Sequence, residues 1–550
     1  MDVQHKRSVV YQIYTKSFYS HAGKATGDLA GVIEKLDYLQ WLGVDYLWLT
    51  PFFQSPQRDH GYDISDYYTV DPLFGSNDDL ERLIGAARLR GIGIILDIVV
   101  NHTSTEHPWF RAAQQGRDNP YRDFYLWRDT PNRWQSKFGH SAWERDEASG
   151  QYYLHLFDKS QADLNWDNPL VREAVYDMMR FWVGKGVAGF RLDVINLISK
   201  PADFPDDDGD GRRFYTDGPH VHAYLQEMHR EVFSGHELLT VGEMSSTTIE
   251  HCLAYTHPLR RELTMTFSFH HLKVDYPQGE KWTAAPFDFV GLKRIMSDWQ
   301  EGMAAGGGWS ALFWCNHDQP RVVSRFGDDG QYRQASAKML ACVLHGLRGT
   351  PFIYQGEEIA MGNPRFDDIA CYRDVETLNA WDMLQAGGVM PADAMAAIKQ
   401  KSRDNARTPM QWKRGAFGGF SSSAPWIDCS ADADHINVET AMRDPGSVLH
   451  CYRQLIAFRK QYPVFTDGDY RCLTPDHPAI WAYLRTTASA RLLVIANFRH
   501  QSNDFSADLA PLPLGWHWRL LYANWPDARS EPGGITLRPF EVLIYLAEYG

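Results

Sequence analysis

Apolar residues along this chain fall into short continuous runs separated by stretches with helical spacing. Val9 to Tyr14, Val44 to Leu49 and Gly93 to Val100 are the first three runs. Between the first two, Leu29, Val32, Ile33, Leu36, Leu39 and Leu42 form one helical face, and Gly43 follows as a stop. Leu80 to Leu89 repeats the pattern, with Gly91 after it. Strands that are apolar on both faces and alternate with amphipathic helices predict a parallel sheet covered by helices. Further strands are predicted at 187–192, 238–241, 263–267, 309–314 and 351–354. Eight such strands make an α/β fold, a (β/α)8 TIM barrel. No G-x-G-x-x-G follows the first strand, which argues against an open doubly wound sheet.

Three regions depart from this rhythm. Residues 101–171 follow the third strand, are rich in Trp, Tyr, Pro and Gly, and predict an inserted subdomain. Residues 363–445 are polar and predict loops and short helices over one barrel face. From Tyr470 the chain turns to short alternating runs such as Ile480–Leu484 and Leu492–Ala496, the pattern of a C-terminal antiparallel β-sandwich. The expected organisation is a catalytic barrel from 1–100 and 172–469, an insert at 101–171 and a β domain at 470–550.

Composition narrows the function. The net charge of −14, without a basic run, argues against nucleic acid and anionic membranes as partners. The seven cysteines are scattered and form no C-x-x-C, as expected of reduced thiols in the cytoplasm. Met1 to Ser20 has no apolar core of a secretory signal, and no run approaches a membrane span. Aromatic residues reach 13%, which suits either a large core or the stacking of sugar rings.

Functional groups of a barrel gather where strands end. Here Asp59 and Tyr62 follow the second strand, Asp97 and His102 the third, Arg191 and Asp193 the fourth, Glu243 the fifth, and His317 and Asp318 the seventh. A lone carboxylate at a strand end is usually a cap or anchor. Unrelated caps would scatter over both barrel faces, whereas this set shares one. Three carboxylates beside Arg191, His102 and His317 suit acid–base chemistry on a neutral polar substrate. In glycoside hydrolysis one carboxylate attacks the anomeric carbon and a second protonates the leaving oxygen.

The stretches Asp97–His102, Gly189–Asp193, Gly242–Met244 and Asn316–Asp318 resemble, in order and spacing, four regions of the family 13 glycoside hydrolases, the α-amylase superfamily. Gln161–Asn165 is similar to a fifth region of the oligo-1,6-glucosidase branch, with Ala162 in place of its proline. The resemblance implies that Asp193 is the nucleophile, Glu243 the general acid/base and Asp318 the stabiliser of the strained sugar. It implies that Arg191 holds Asp193 ionised and that His102 and His317 bind hydroxyls. Asp59 and Tyr62 would hold the same ring, Arg407 would pair with Asp59 at the blind end, and Phe138, Phe157 and Gln161 would line the pocket. Val194 is the residue type this branch uses with α-1,6 and trehalose-like linkages. Retention implies carboxyl groups about 5–5.5 Å apart.

Within the family, Ser136–Trp143, Asp208–Pro219 and Phe269–Trp282 resemble the branch that hydrolyses α,α-trehalose 6-phosphate to glucose and glucose 6-phosphate. The last stretch gathers His270, His271, Lys273 and Lys281 at the active face, where a sugar phosphate needs cations. Lys273 and Lys281 are the expected phosphate ligands. The alternatives are an oligo-1,6-glucosidase acting on neutral sugars and a sucrose isomerase. The expected partner is this small substrate alone, with the chain a monomer or weak homo-oligomer. No cofactor or metal is expected. Ser20–Asp28 keeps one acidic residue of the family's Ca²⁺ loop, and Lys24 stands where a central acid would be. Asp206, Asp208, Asp210 and Asp217 have nearly EF-hand spacing, but the sequence shows no flanking helix pair, so they read as an acidic turn.

Overall fold

A computed structural model describes residues 3–506 and 509–549. Its centre is a ring of parallel strands: β1 Val10–Ile13, β2 Tyr46–Leu49, β3 Gly93–Ile98, β4 Gly189–Leu192, β5 Leu239–Met244, β6 Met265–Ser268, β7 Ala311–Leu312 and β8 Thr350–Tyr354. The hydrogen-bonded order β6-β5-β4-β3-β2-β1-β8-β7 follows the chain around the ring. A parallel bridge between Thr266 and Ser310 joins β7 to β6 and closes it. These strands are buried almost throughout, which is why their sequences are continuous apolar runs.

Two predicted elements differ in length. The helix expected over 29–42 is two, Leu29–Glu34 and Leu36–Leu42. At the break, the Lys35 ammonium sits 3.8 Å from the centre of the Tyr19 ring and 4.5 Å from that of Trp412. β7 is a two-residue strand inside the apolar run 309–314, because the residues that follow turn away to deliver Asn316–Asp318.

The insert after β3 starts and ends in one small ladder. His102–Ser104 pairs antiparallel with Gln161–Asp163, and Asp163 lies opposite His102. That pairing brings His102 and Gln161 together although 59 positions separate them. Between them a three-stranded antiparallel sheet carries Trp127, Trp143, Tyr152 and Tyr153 of the insert. After β8, helices Val375–Ala386 and Pro391–Lys401 and a 3₁₀ turn, Arg403–Ala406, fold back over the barrel mouth. The C-terminal region is a five-stranded antiparallel sheet: β9 Asp469–Cys472, β10 Ile480–Thr486, β11 Ala490–Asn497, β12 Trp516–Ala523 and β13 Val542–Tyr549, ordered β9-β10-β11-β13-β12. Among the described residues no helix is long and apolar enough to cross a membrane.

Candidate active site

The predicted groups meet at the C-terminal ends of the barrel strands. Arg191 on β4 stands opposite Asp97 on β3 in the ladder, so both side chains project the same way. Its Nη1 donates to Asp97 Oδ1 at 2.8 Å and to Asp193 Oδ1 at 2.6 Å, and its Nη2 donates to Glu243. One guanidinium thus spans three carboxylates. The other Asp97 oxygen accepts from Trp48 Nε1 at 3.0 Å and from the Tyr62 hydroxyl at 2.8 Å. Val194 leaves the strand with φ of 37°, a left-handed conformation costly for a β-branched residue. The turn points the Val194 N–H at Glu243, 3.3 Å away.

The electrostatics separate these acids. Burial, opposed by Arg191 and reinforced by Glu243, raises the Asp193 carboxyl well above its ordinary range. The resemblance implied that Arg191 holds Asp193 ionised, and the contact for that role is present at 2.6 Å. Arg191 favours the anion, while burial and the adjacent carboxyl work against it. Asp318 is the opposite case. Burial would raise it, but His317, Arg403 and Arg407 hold it far below the usual carboxylate range. Its Oδ1 accepts from Arg407 at 2.7 Å.

His317 is fixed between rings, with Tyr62 stacked at 5.1 Å and Tyr14 at 6.1 Å. Gln12 donates to its Nδ1 at 2.8 Å, which leaves the proton on Nε2. That Nε2 lies 3.3 Å from Asp318 Oδ2. Burial lowers the His317 pKa to about 3 and that of His102 to about 4, so both are neutral donors at physiological pH.

These groups surround a cavity of about 150 Å³, the scale of one sugar ring. Asp59, Tyr62, His102, Phe138, Phe157, Gln161, Asp193, Glu243, Lys281 and Asp318 line it, while Arg191, His317 and Arg407 stand behind this wall. The blind end differs from expectation. Arg403, not Arg407, pairs with Asp59, at 2.9 Å, while Gln161 Nε2 donates to the other Asp59 oxygen at 3.0 Å. On a 3₁₀ turn, positions four apart do not share a face. Arg403 therefore reaches Asp59, and Arg407 turns to Asp318 and to the His317 carbonyl.

Sequence reasoning missed Arg403, Glu376 and Gln319 as lining residues. Arg403 opens the same stretch as Arg407, so its only signal is the pair of arginines. Glu376 comes from a helix whose fold over the mouth no local pattern announces. Of the expected phosphate ligands, Lys281 lines the cavity and donates to Glu376 at 2.6 Å. Lys273 ends the 3₁₀ turn His270–Lys273 after β6 and lines an adjoining groove. His271 is turned inward, onto the Phe313 carbonyl at 2.9 Å.

The two calcium-like stretches do not fit a cation. Asp206 and Asp208 bind Arg133, Asp207 binds Arg213, Asp210 binds Arg212, and Asp217 accepts from Asn196 and Tyr255. Asp28 is the cap of helix Leu29–Glu34. The carboxylates are thus spent on separate partners instead of converging on one point.

The α-amylase catalytic-domain model matches residues 12–468, which span every barrel strand but the first residues of β1. The chain belongs to the α-amylase family. Among relatives of this family, a trehalose-6-phosphate hydrolase of Bacillus subtilis (strain 168) is 56% identical over 547 residues, covering 98% of this chain and 97% of the relative. An oligo-1,6-glucosidase of Parageobacillus thermoglucosidasius is 48% identical over 554 residues, 98% of each. A crystal structure of a Bacillus licheniformis trehalose-6-phosphate hydrolase superposes with a TM-score of 0.97 at 53% identity, covering 100% of both chains.

Proposed function

We propose that this α-amylase family enzyme hydrolyses α,α-trehalose 6-phosphate to glucose and glucose 6-phosphate, with retention of configuration. The observation that carries the reaction type is the Arg191 clamp, which holds Asp193 and Glu243 on adjacent nitrogens of one guanidinium. Two carboxyls on one guanidinium suit the short spacing of a retaining enzyme, about 5–5.5 Å, better than the about 6.5–9.5 Å of an inverting one. Asp193 attacks the anomeric carbon while Glu243 gives its proton to the leaving oxygen. The glycosyl–Asp193 ester is then hydrolysed by a water that Glu243 deprotonates. The first step needs Glu243 protonated and Asp193 anionic, and the second needs Glu243 as the carboxylate that the first step leaves. Asp318, held anionic, faces the positive charge that develops on the ring. His317 Nε2, 3.3 Å from Asp318 Oδ2, and His102 Nε2, 3.1 Å from the Tyr62 carbonyl, are placed to bond hydroxyls, and the pair Asp59–Arg403 ends the pocket, so one terminal glucose is removed.

The substrate reading rests on full-length similarity to trehalose-6-phosphate hydrolases at 53–56% identity. Lys273 and Lys281 are taken as phosphate ligands. Lys273 has no ion-pair partner among the described residues, and Lys281 shares Glu376. The enzyme would act in the cytoplasm, as a monomer or weak homo-oligomer, on this small substrate, without nucleic acid, membrane or cofactor. Seven unpaired cysteines suit a reducing compartment. Activity unchanged by EDTA is expected from the dispersed carboxylates.

The deciding experiment compares kcat/KM on trehalose 6-phosphate, trehalose and isomaltose. A preference for the phosphorylated sugar of at least about 10- to 100-fold, the worth of one charge-assisted contact, is expected. Equal turnover of isomaltose would instead favour the oligo-1,6-glucosidase reading, which the 48% identical relative keeps open.

A further inference from the structure

Three segments far apart in the chain bring cations to the Glu243 side of the pocket mouth. Lys137 comes from the insert, Arg212 from the short helix Arg212–Tyr215, and Lys273 from the turn after β6. They lie within electrostatic reach of one another: Lys137 feels both Arg212 and Lys273, and Lys273 feels Arg212. Backbone contacts fix the cluster. Gln135 N donates to the Asp210 carbonyl at 3.1 Å and Lys137 N to the Leu156 carbonyl at 2.7 Å. The Lys137 ammonium lies 5.3 Å from the centre of the Tyr215 ring and donates to Ser245 Oγ at 3.2 Å.

Three features set Lys137 apart. It has three N–H donors, and one hydrogen bond engages it. No carboxylate pairs with it among the described residues, whereas Lys281 has Glu376 and Arg212 has Asp210. Its anchor, Ser245, stands two positions after Glu243. Three cations here face two carboxylates, Asp210 and Glu243, and a dianion with three acceptor oxygens would offset the repulsion that remains. Burial together with Arg212 lowers the Lys137 pKa to about 7, the mark of a cation short of countercharge.

We propose that Lys137, acting with Lys273 and Arg212, grips the phosphate of the leaving sugar. Resting on the substrate reading above, this deepens it by saying which half of the substrate carries the charge. Glu243 protonates the leaving oxygen, so a group held beside Ser245 belongs to the leaving sugar. The sugar that becomes esterified to Asp193 is then unphosphorylated glucose, and glucose 6-phosphate departs first.

The test is the ratio of kcat/KM on trehalose 6-phosphate to that on p-nitrophenyl α-glucoside, in the full-length enzyme and in Lys137→Met and Lys137→Arg. Thermal melting of each variant is followed alongside. Lys137→Met is expected to lower the ratio about 10- to 100-fold and to weaken inhibition by glucose 6-phosphate relative to glucose by a similar factor. Lys137→Arg should restore most of both. A parallel fall on both substrates would make Lys137 a tether between insert and barrel and overturn the proposal, as would an unchanged ratio. A wild-type enzyme with no preference for the phosphorylated sugar would sink the substrate reading itself. A preference that survives Lys137→Met would sink the Lys137 assignment alone.

Discussion

Arg191 is the residue on which the site turns. Its guanidinium is buried and meets three carboxylates, Asp97, Asp193 and Glu243. Replacing Asp193 by Asn keeps the shape and removes the nucleophile. Turnover should fall by about 10⁴-fold or more in a steady-state assay, as when a covalent catalyst is deleted. Arg403 should matter differently. Arg403→Lys loses the fork that meets Asp59 and Asp374 together, and kcat/KM should fall about 10- to 100-fold in the same assay, chiefly through KM. The carboxylates were legible in the sequence because each sits directly after an apolar run. The Asp59 partner was not. Arg403 and Arg407 differ by the pitch of one turn, and composition does not distinguish a 3₁₀ turn from an α-helix.

At the scale of elements, the helix Val375–Ala386 does more than cover the mouth. Asp374 caps its N-terminus, accepting from the backbone of Glu376 and Thr377, and holds Arg403 at 2.5 Å. One carboxylate therefore sets both the helix start and the orientation of the pocket's end wall. Asp374→Asn keeps a capping oxygen but loses the charge. It should cost about 1–3 kcal/mol in thermal unfolding and raise KM for the glucoside. Alternating apolar strands and helices foretold the barrel. The polar segment 363–445 foretold helices over one face but not their contribution of Glu376, since a side chain's reach across a fold leaves no periodic trace. The split of helix 29–42 was equally silent, because a break that seats Lys35 on Tyr19 and Trp412 depends on rings distant in sequence.

The whole molecule also carries acids unrelated to the pocket. Glu357, in the turn after β8, accepts from Tyr452 at 2.6 Å on the helix Val448–Gln461. Burial, aided by Glu358, raises its pKa to about 8. The native protein therefore keeps a proton that the unfolded chain gives up near the ordinary glutamate value of 4.5. Stability should thus fall as pH rises from about 4.5 to about 8, by up to about 1.4 kcal/mol per pH unit. Glu357→Gln should flatten that slope, as read from melting temperatures at several pH values across the window.

The pairing of Asp59 with Arg403 joins positions 344 residues apart. During synthesis the barrel carboxylates emerge well before the segment that shuts their pocket. A ribosome-bound chain that has just finished β8 holds Asp193, Glu243 and Asp318 but lacks the arginine that pairs with Asp59. The pocket therefore gains its end wall only once Arg403 has left the ribosome, and a chain truncated before it would keep the triad and lose the partner of Asp59.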